Sequence, residues 1–172
     1  MSRRRRVTLL LLILISCISA DRITKRLATD LLSTRGGISV WQDTVRLQYA
    51  ENVGAFLSLG ETLPPAVRFW IFTASTAAML TAMLIYLIAS RHLSPPSSTA
   101  IAFILAGGAS NLFDRITNHG TVVDFLNVGI GNLRTGIFNV ADMAITAGTL
   151  LLVCIVALTP RAEASREPSP LT

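Results

Sequence analysis

The chain of 172 residues is poor in charge, in aromatic rings, in histidine and in cysteine. Charged residues make up 15% of it, against about 25% in ordinary soluble domains. With 51% hydrophobic residues, that scarcity excludes a typical soluble domain and points to the membrane. The two cysteines, Cys17 and Cys154, both fall inside apolar runs. A disulfide framework is thereby excluded, and both read as small buried hydrophobes. The two histidines are as uninformative. His92 reads as surface. His119 sits in the turn Asn118-His119-Gly120, with no H-E-x-x-H motif and no cysteine pair at ligand spacing. A site of His119 with Asp114, Asp124 and Asp142 is conceivable, but neither a metal nor a cofactor is expected. The net charge of +5 does not imply nucleic acid, because four of the fifteen basic residues are consecutive, at 3–6. The chain also lacks an internal repeat.

What it has instead is four long uncharged runs, at 7–20, 69–90, 93–113 and 143–160. A spanning helix needs about 20 mostly apolar residues. The expected fold is therefore mainly α and integral to the membrane. Four transmembrane helices are expected over about 7–27, 67–90, 97–115 and 137–159, with a small extracytoplasmic β-sheet element between the first and second spans. Pro95-Pro96 place the start of the third helix after them. Residues 1–165 read as one polytopic domain, and 166–172 as a disordered tail. The first run, behind its arginines, also has the plan of a cleavable signal peptide, and Leu14-Ile15-Ser16-Cys17 resembles a lipobox. Helical spacing that continues through Ile23, Leu27 and Leu31 favours an uncleaved helix.

The arginines at 3–6 read as a cytoplasmic anchor. Four spans then bring the C-terminus, with Arg161 and Arg166, back to the cytoplasm, and Arg91 falls in an inner loop. Over the whole chain seven basic residues fall inside and eight outside, so the orientation rests on the cluster. On this topology Asp21, Asp114 and Asp142 reach the outer ends of three different spans, and Asp124 lies in the outer loop after the third. Four carboxylates distant in sequence meet one level of the membrane. Of the outer segments, about 32–65 and 116–135, the first carries a turn at Arg35-Gly36-Gly37 and an alternating strand with Val45, Leu47 and Tyr49 on one face. A small sheet against the membrane surface is the expectation, with Trp41 and Trp70 as interfacial anchors.

Each polar group has a plain reading beside the chemical one. Two carboxylates sharing a site cannot both ionise cheaply, so Asp124 and Asp142 together could hold one proton and activate water without a metal. Separately, Asp142 could be a helix-end residue favoured by the dipole, and Asp124 mere loop. Asn139, three residues before Asp142, could be the cap instead. The small residues Ala106-Gly107-Gly108-Ala109-Ser110 suit close helix packing. Asn111 and Asp114 share a face, and Arg115 could neutralise a carboxylate or hold a loop. Asp21 and Lys25, at i, i+4, read first as a local ion pair.

Five blocks in this order resemble the lipoprotein signal peptidases (signal peptidase II). They are Asp21…Lys25, Asn52-Val53-Gly54-Ala55-Phe56, Asn111…Asp114-Arg115, Val122-Val123-Asp124-Phe125 and Phe138-Asn139-Val140-Ala141-Asp142. The resemblance implies an aspartyl endopeptidase of the bacterial cytoplasmic (inner) membrane, multi-pass and with both termini cytoplasmic. It implies cleavage of prolipoproteins before a diacylglyceryl-modified cysteine, with Asp124 and Asp142 catalytic. By the same match Asp21, Lys25, Asn52, Gly54, Asn111, Asp114, Arg115, Asn139 and Ala141 line or support the site. The partners so implied are lipidated prolipoprotein and membrane lipid, with the enzyme a monomer. The chain departs from the family pattern at Ser110, where Gly is usual, at Thr135-Gly136-Ile137, where Trp-Pro is usual, and at Met143, where Ser is common. A small transporter with carboxylates in its pathway, or a paralogue with a shifted substrate, is the other reading. Transporter sites lie near the midplane and often within repeats, whereas these acids gather at one boundary.

Overall fold

The computed structural model describes residues 2–54, 60, 62–90 and 92–159. Ala55, Phe56, Arg91, Arg161, Arg166 and the tail expected at 166–172 lie outside the described residues. Among the described residues, four long helices and a four-stranded antiparallel sheet make up the fold. Helix α1 (Arg3–Leu32) is followed by β1 (Ile38–Val40) and β2 (Val45–Asn52). Helix α2 (Pro65–Ala89) comes next, then α3 (Pro95–Thr117), β3 (Val122–Ile130), β4 (Leu133–Arg134) and α4 (Val140–Leu158).

Three of these helices, α1, α2 and α4, are long and apolar enough to cross a membrane. Their exposed apolar side chains, such as Leu12, Ile85 and Val156, face outward from the bundle, where an aqueous protein would carry charge. α3 differs. It packs against α1, α2 and α4, and most of its middle is buried. A helix surrounded by protein can carry serine, asparagine and glycine on the faces it turns to its neighbours. It opens at Pro95 and not after Pro96. Ser94 caps it, and both prolines occupy first-turn positions whose N–H groups have no partner in a helix anyway.

Glycine sets the spacing of α3 and α4. A Cβ on Gly107 would stand 2.2 Å from the Ala141 carbonyl oxygen, and one on Gly148 would stand 2.5 Å from that of Ala100. Backbone thus meets backbone at two levels of the same interface. Within α2, residues Phe69–Ala74 form a wider, π-type stretch. Cys17 and Cys154 are free, but neither is buried as expected: Cys17 is half-buried, and Cys154 is exposed on the outside of α4, where a small apolar side chain suits lipid as well as a core.

The sheet is larger than the sequence implied. Its order is β1-β2-β3-β4, so half of it comes from the segment between α3 and α4. Asp124 accordingly lies in strand β3, not in a loop. The alternation that marks a half-exposed strand is missing there, because Val122, Val123, Asp124 and Phe125 are all buried. Phe125 packs with Ala28 and Leu32 of α1, which holds the sheet on the end of the bundle.

A boundary site of two aspartates and three asparagines

Strand register begins the site. Ala50 lies opposite Asp124, and Asn52 opposite Val122. Residues two apart share a face, so the Asn52 side chain is the diagonal neighbour of Asp124. Its Nδ2 donates to Asp124 Oδ2 at 3.0 Å, while its Oδ1 accepts from the Gly54 amide at 3.0 Å. That local turn fixes which way the amide faces. Arg115, at the end of α3, donates from Nη2 to the Gly54 carbonyl at 2.8 Å and ties this turn to the bundle.

The β3–β4 hairpin then brings the chain back. Phe138 donates to the Leu126 carbonyl and accepts from the Leu126 amide, each at 2.8 Å. The next residue, Asn139, is thereby laid beside Asp124 and donates from Nδ2 to its Oδ1 at 2.6 Å. Asn139 also caps α4. Its Oδ1 accepts from the Asp142 amide at 2.8 Å, and Asp142 Oδ2 accepts in turn from the Asn139 amide at 3.2 Å. Both halves of the question posed by the sequence are answered: Asn139 is the cap, and Asp142 is the third residue of its capping box. The other Asp142 oxygen, Oδ1, accepts from Asn111 Nδ2 at 2.7 Å. Asn111 Oδ1 accepts from Asn139 Nδ2 at 3.2 Å and from Lys25 Nζ at 2.9 Å. A continuous path therefore runs Asp124, Asn139, Asn111, Asp142.

A charged layer lies behind this path. Lys25 Nζ is 2.7 Å from Asp21 Oδ2 and 2.7 Å from Asp114 Oδ2, and Arg22 also pairs with Asp114. Two acids and two bases balance, which a buried cluster needs. Asp21 has a second task. Its Oδ1 accepts from the Ala141 amide at 2.8 Å, so α1 holds the first turn of α4 directly beside Asp142. Ala141 contributes through its backbone, and its methyl is buried. Asp21–Lys25 is thus both the local ion pair expected and part of a cluster joining three helices.

Four participants went unrecognised in the sequence. Ser110 donates to Asp21 Oδ2 at 2.7 Å. Arg22, by sequence only one of the eight outer bases, pairs with Asp114. Arg134 donates to Asn127 Oδ1 at 2.6 Å and to the Asp43 carbonyl at 2.7 Å, tying the two hairpins together. No spacing rule finds the last pair, because the contacts are made across strands. Two of the departures have a visible place in the structure. The Thr135 amide donates to the Val128 carbonyl at 2.8 Å, its Oγ1 accepts from the Val128 amide at 3.0 Å, its carbonyl accepts from Asn127 Nδ2 at 2.6 Å, and Met143 points outward. His119 takes a left-handed backbone in the turn after α3. Among the described residues no three His, Cys, Asp or Glu side chains gather as a metal would need.

Asp124 is almost sealed from solvent. Burial raises its carboxyl from the ordinary 3.8 to about 6, with the charge of Asp142 adding to the rise and the amides of Asn52 and Asn139 opposing it. A carboxyl that keeps its proton up to about pH 6, joined through amides to a second carboxylate, is suited to acid–base work on a carbonyl.

A family model described as signal peptidase (SPase) II matches residues 13–158. The chain belongs to the signal peptidase II family. This is a family of aspartic-type peptidases. A lipoprotein signal peptidase of Brevibacillus brevis is 35% identical over 141 residues, which cover 82% of this chain and 89% of that protein. One from Chlorobium phaeobacteroides is 37% identical over 144 residues, covering 77% and 86%. A solved structure described as a bacterial membrane enzyme superposes with a TM-score of 0.77 at 24% identity, over 93% of this chain and 94% of that one, and shares the fold. With that family and three long apolar helices, the chain is a multi-pass membrane protein.

Proposed function

We propose that Asp124 and Asp142 are the catalytic pair of a membrane endopeptidase that removes the signal peptide from diacylglyceryl-modified prolipoproteins, cutting before the lipidated cysteine. The observation that carries this is the path of amides linking the two carboxylates, Asp124–Asn139–Asn111–Asp142. The ionised member takes a proton from water as the oxygen attacks the scissile carbonyl. The protonated member hydrogen-bonds the developing oxyanion, and the amine leaves with a proton. Acid–base assistance of this kind contributes about 10²–10⁴-fold, and positioning adds to it. Asn52, Asn111 and Asn139 hold the carboxylates in place. Asp21, Lys25, Asp114, Arg115, Gly54 and Ala141 support them from behind.

A cleft of about 290 Å³ supports a membrane-borne substrate. Asp142, Asn111 and Arg115 lie at its polar part, and Met79, Leu80, Ile104 and Ile145 form its apolar walls. An apolar peptide with a lipid beside its cleavage point matches that gradient. The chain crosses the membrane four times, α3 being the span whose neighbours shield its polar face. Residues 1–165 act as one domain in the bacterial cytoplasmic membrane, with both termini in the cytoplasm and the sheet outside. The enzyme acts as a monomer in this reading.

Asp124→Asn and Asp142→Asn keep shape and lose the tradable proton. Each is expected to abolish cleavage of a lipidated prolipoprotein by the purified protein while membrane yield stays near normal. Asp114→Asn is expected to lower yield before it lowers turnover, since Asp114 faces Lys25 and Arg22. Near-normal turnover in either dyad variant would refute the two-aspartate reading.

A further inference from the structure

At the end of the bundle away from the aspartates, a groove of about 610 Å³ runs between the first turn of α1 and the last turns of α2. Its walls are Leu84, Ile85, Ile88 and Ala89, with Arg3, Arg6 and Ser90 at the head. Arg3 and Arg6 are three apart and share a face of α1. Leu84 and Ile85 are exposed on the outside of the bundle, so the groove opens sideways. Four features point the same way. Among the described residues no carboxylate lines the groove, and none stands in the first turn of α1. The N-terminus of a 30-residue helix faces this end, with the partial positive charge of its dipole. Arg6 is buried and donates to the carbonyls of Leu87, at 2.9 Å, and Ser90, which neutralises the negative end of α2. Its Nε is buried with no acceptor among the described residues.

We propose that this groove binds an anionic phospholipid of the leaflet opposite the catalytic site, its phosphate against Arg3 and the α1 N-terminus and an acyl chain along Ile85, Ile88 and Ala89. Basic pockets between membrane helices suit such headgroups, whereas a basic cluster on an open surface attracts the leaflet without holding one molecule. The apolar walls distinguish the two cases, because they give the groove the two-part chemistry of a lipid. Arg6 would serve as the staple between α1 and α2, and Arg3 as the residue that reads the phosphate.

The test is native mass spectrometry of the full-length protein in detergent, titrated with phosphatidylglycerol or phosphatidylcholine, beside melting temperatures with each lipid and with inorganic phosphate. The protein is expected to retain phosphatidylglycerol over phosphatidylcholine. Arg3→Gln should reduce that retention about fivefold, the usual weight of one arginine at an anionic surface. Ala89→Trp should block the acyl wall and reduce retention of both lipids, with lipid-free melting reporting whether it still folds. Should that variant not fold, Arg3→Gln decides alone. Equal retention of the two lipids by the unaltered protein, or unchanged retention by Arg3→Gln, overturns the site. Protection by millimolar phosphate equal to that by phosphatidylglycerol would assign the groove to a free anion and overturn the lipid.

Discussion

Asp124 sits where strand pairing and burial act on one carboxyl, and its chemistry follows. Because folding raises its value from 3.8 to about 6, the protonated form is favoured in the folded protein. The sign is then fixed: its contribution to stability is full below about pH 4 and is lost as pH rises through about 6. For turnover, the pair must hold one proton between its members, so kcat/KM should have its alkaline limb near pH 6 or above, not near 4. A pH profile on a lipidated substrate measures this, and a limb near 4 would show that burial does not hold the proton. Lys25 gives a second residue-level prediction. Lys25→Met leaves Asp21 and Asp114 facing each other without their shared cation. Breaking a buried pair costs about 3–5 kcal/mol, so membrane yield and thermal stability should fall together. Ser110→Ala removes one of several donors to Asp21 and should cost about 1.5–3 kcal/mol at most, as for a hydrogen bond to a charged group.

At the level of elements, the α3–α4 interface decides where Asp142 points. Gly107→Ala drives a methyl into the Ala141 carbonyl, one residue from Asp142. Gly148→Ala makes the comparable clash with Ala100, two turns further along α4. Both should destabilise by about 1–3 kcal/mol, the usual cost of overpacking. Only Gly107→Ala should also cut turnover, by about 100-fold if the dyad shifts by about an ångström. Comparing kcat with melting temperature for the two variants separates positioning from stability, and equal losses of turnover would remove the argument. The hairpins carry the other element-level feature. Both tips lie at the same end of the sheet, and Trp41 is 78%, Ile130 81% and Leu133 85% exposed. Exposed apolar side chains together on a membrane protein suit an interface with lipid, as the sequence suggested for Trp41.

For the whole molecule, the proposed four-span topology puts Gly37 and His92 on opposite sides. Reporter fusions at these two positions should give opposite signals, and the same side for both would exclude the topology. The position of the site at the bundle end bears on the substrate too. A diacylglyceryl group holds the cleavage point at membrane depth, so an unlipidated prolipoprotein should be cut far more slowly. Equal rates in a purified assay would show that the lipid is not read.

The sequence by itself determined the membrane class, the long helices and the residues that carry charge into apolar surroundings, because composition and run length are local and the bilayer's demands are simple. Motif order was enough to pick out Asp124, Asp142, Asn52, Asn111 and Asn139. It could not show how they meet. Asp124 reads as loop in the chain because its strand is buried on both faces and does not alternate, and the sheet's second half depends on pairing between residues about 80 apart, Leu47 with Leu126 among them. Asn139 serves as helix cap and as bridge between the carboxylates only because Phe138 is fastened to Leu126. Asp21 is a local ion pair by spacing and a strap on α4 by contact. Those roles are set by long-range hydrogen bonds, whose partners no local pattern names, and only the packed fold decides them.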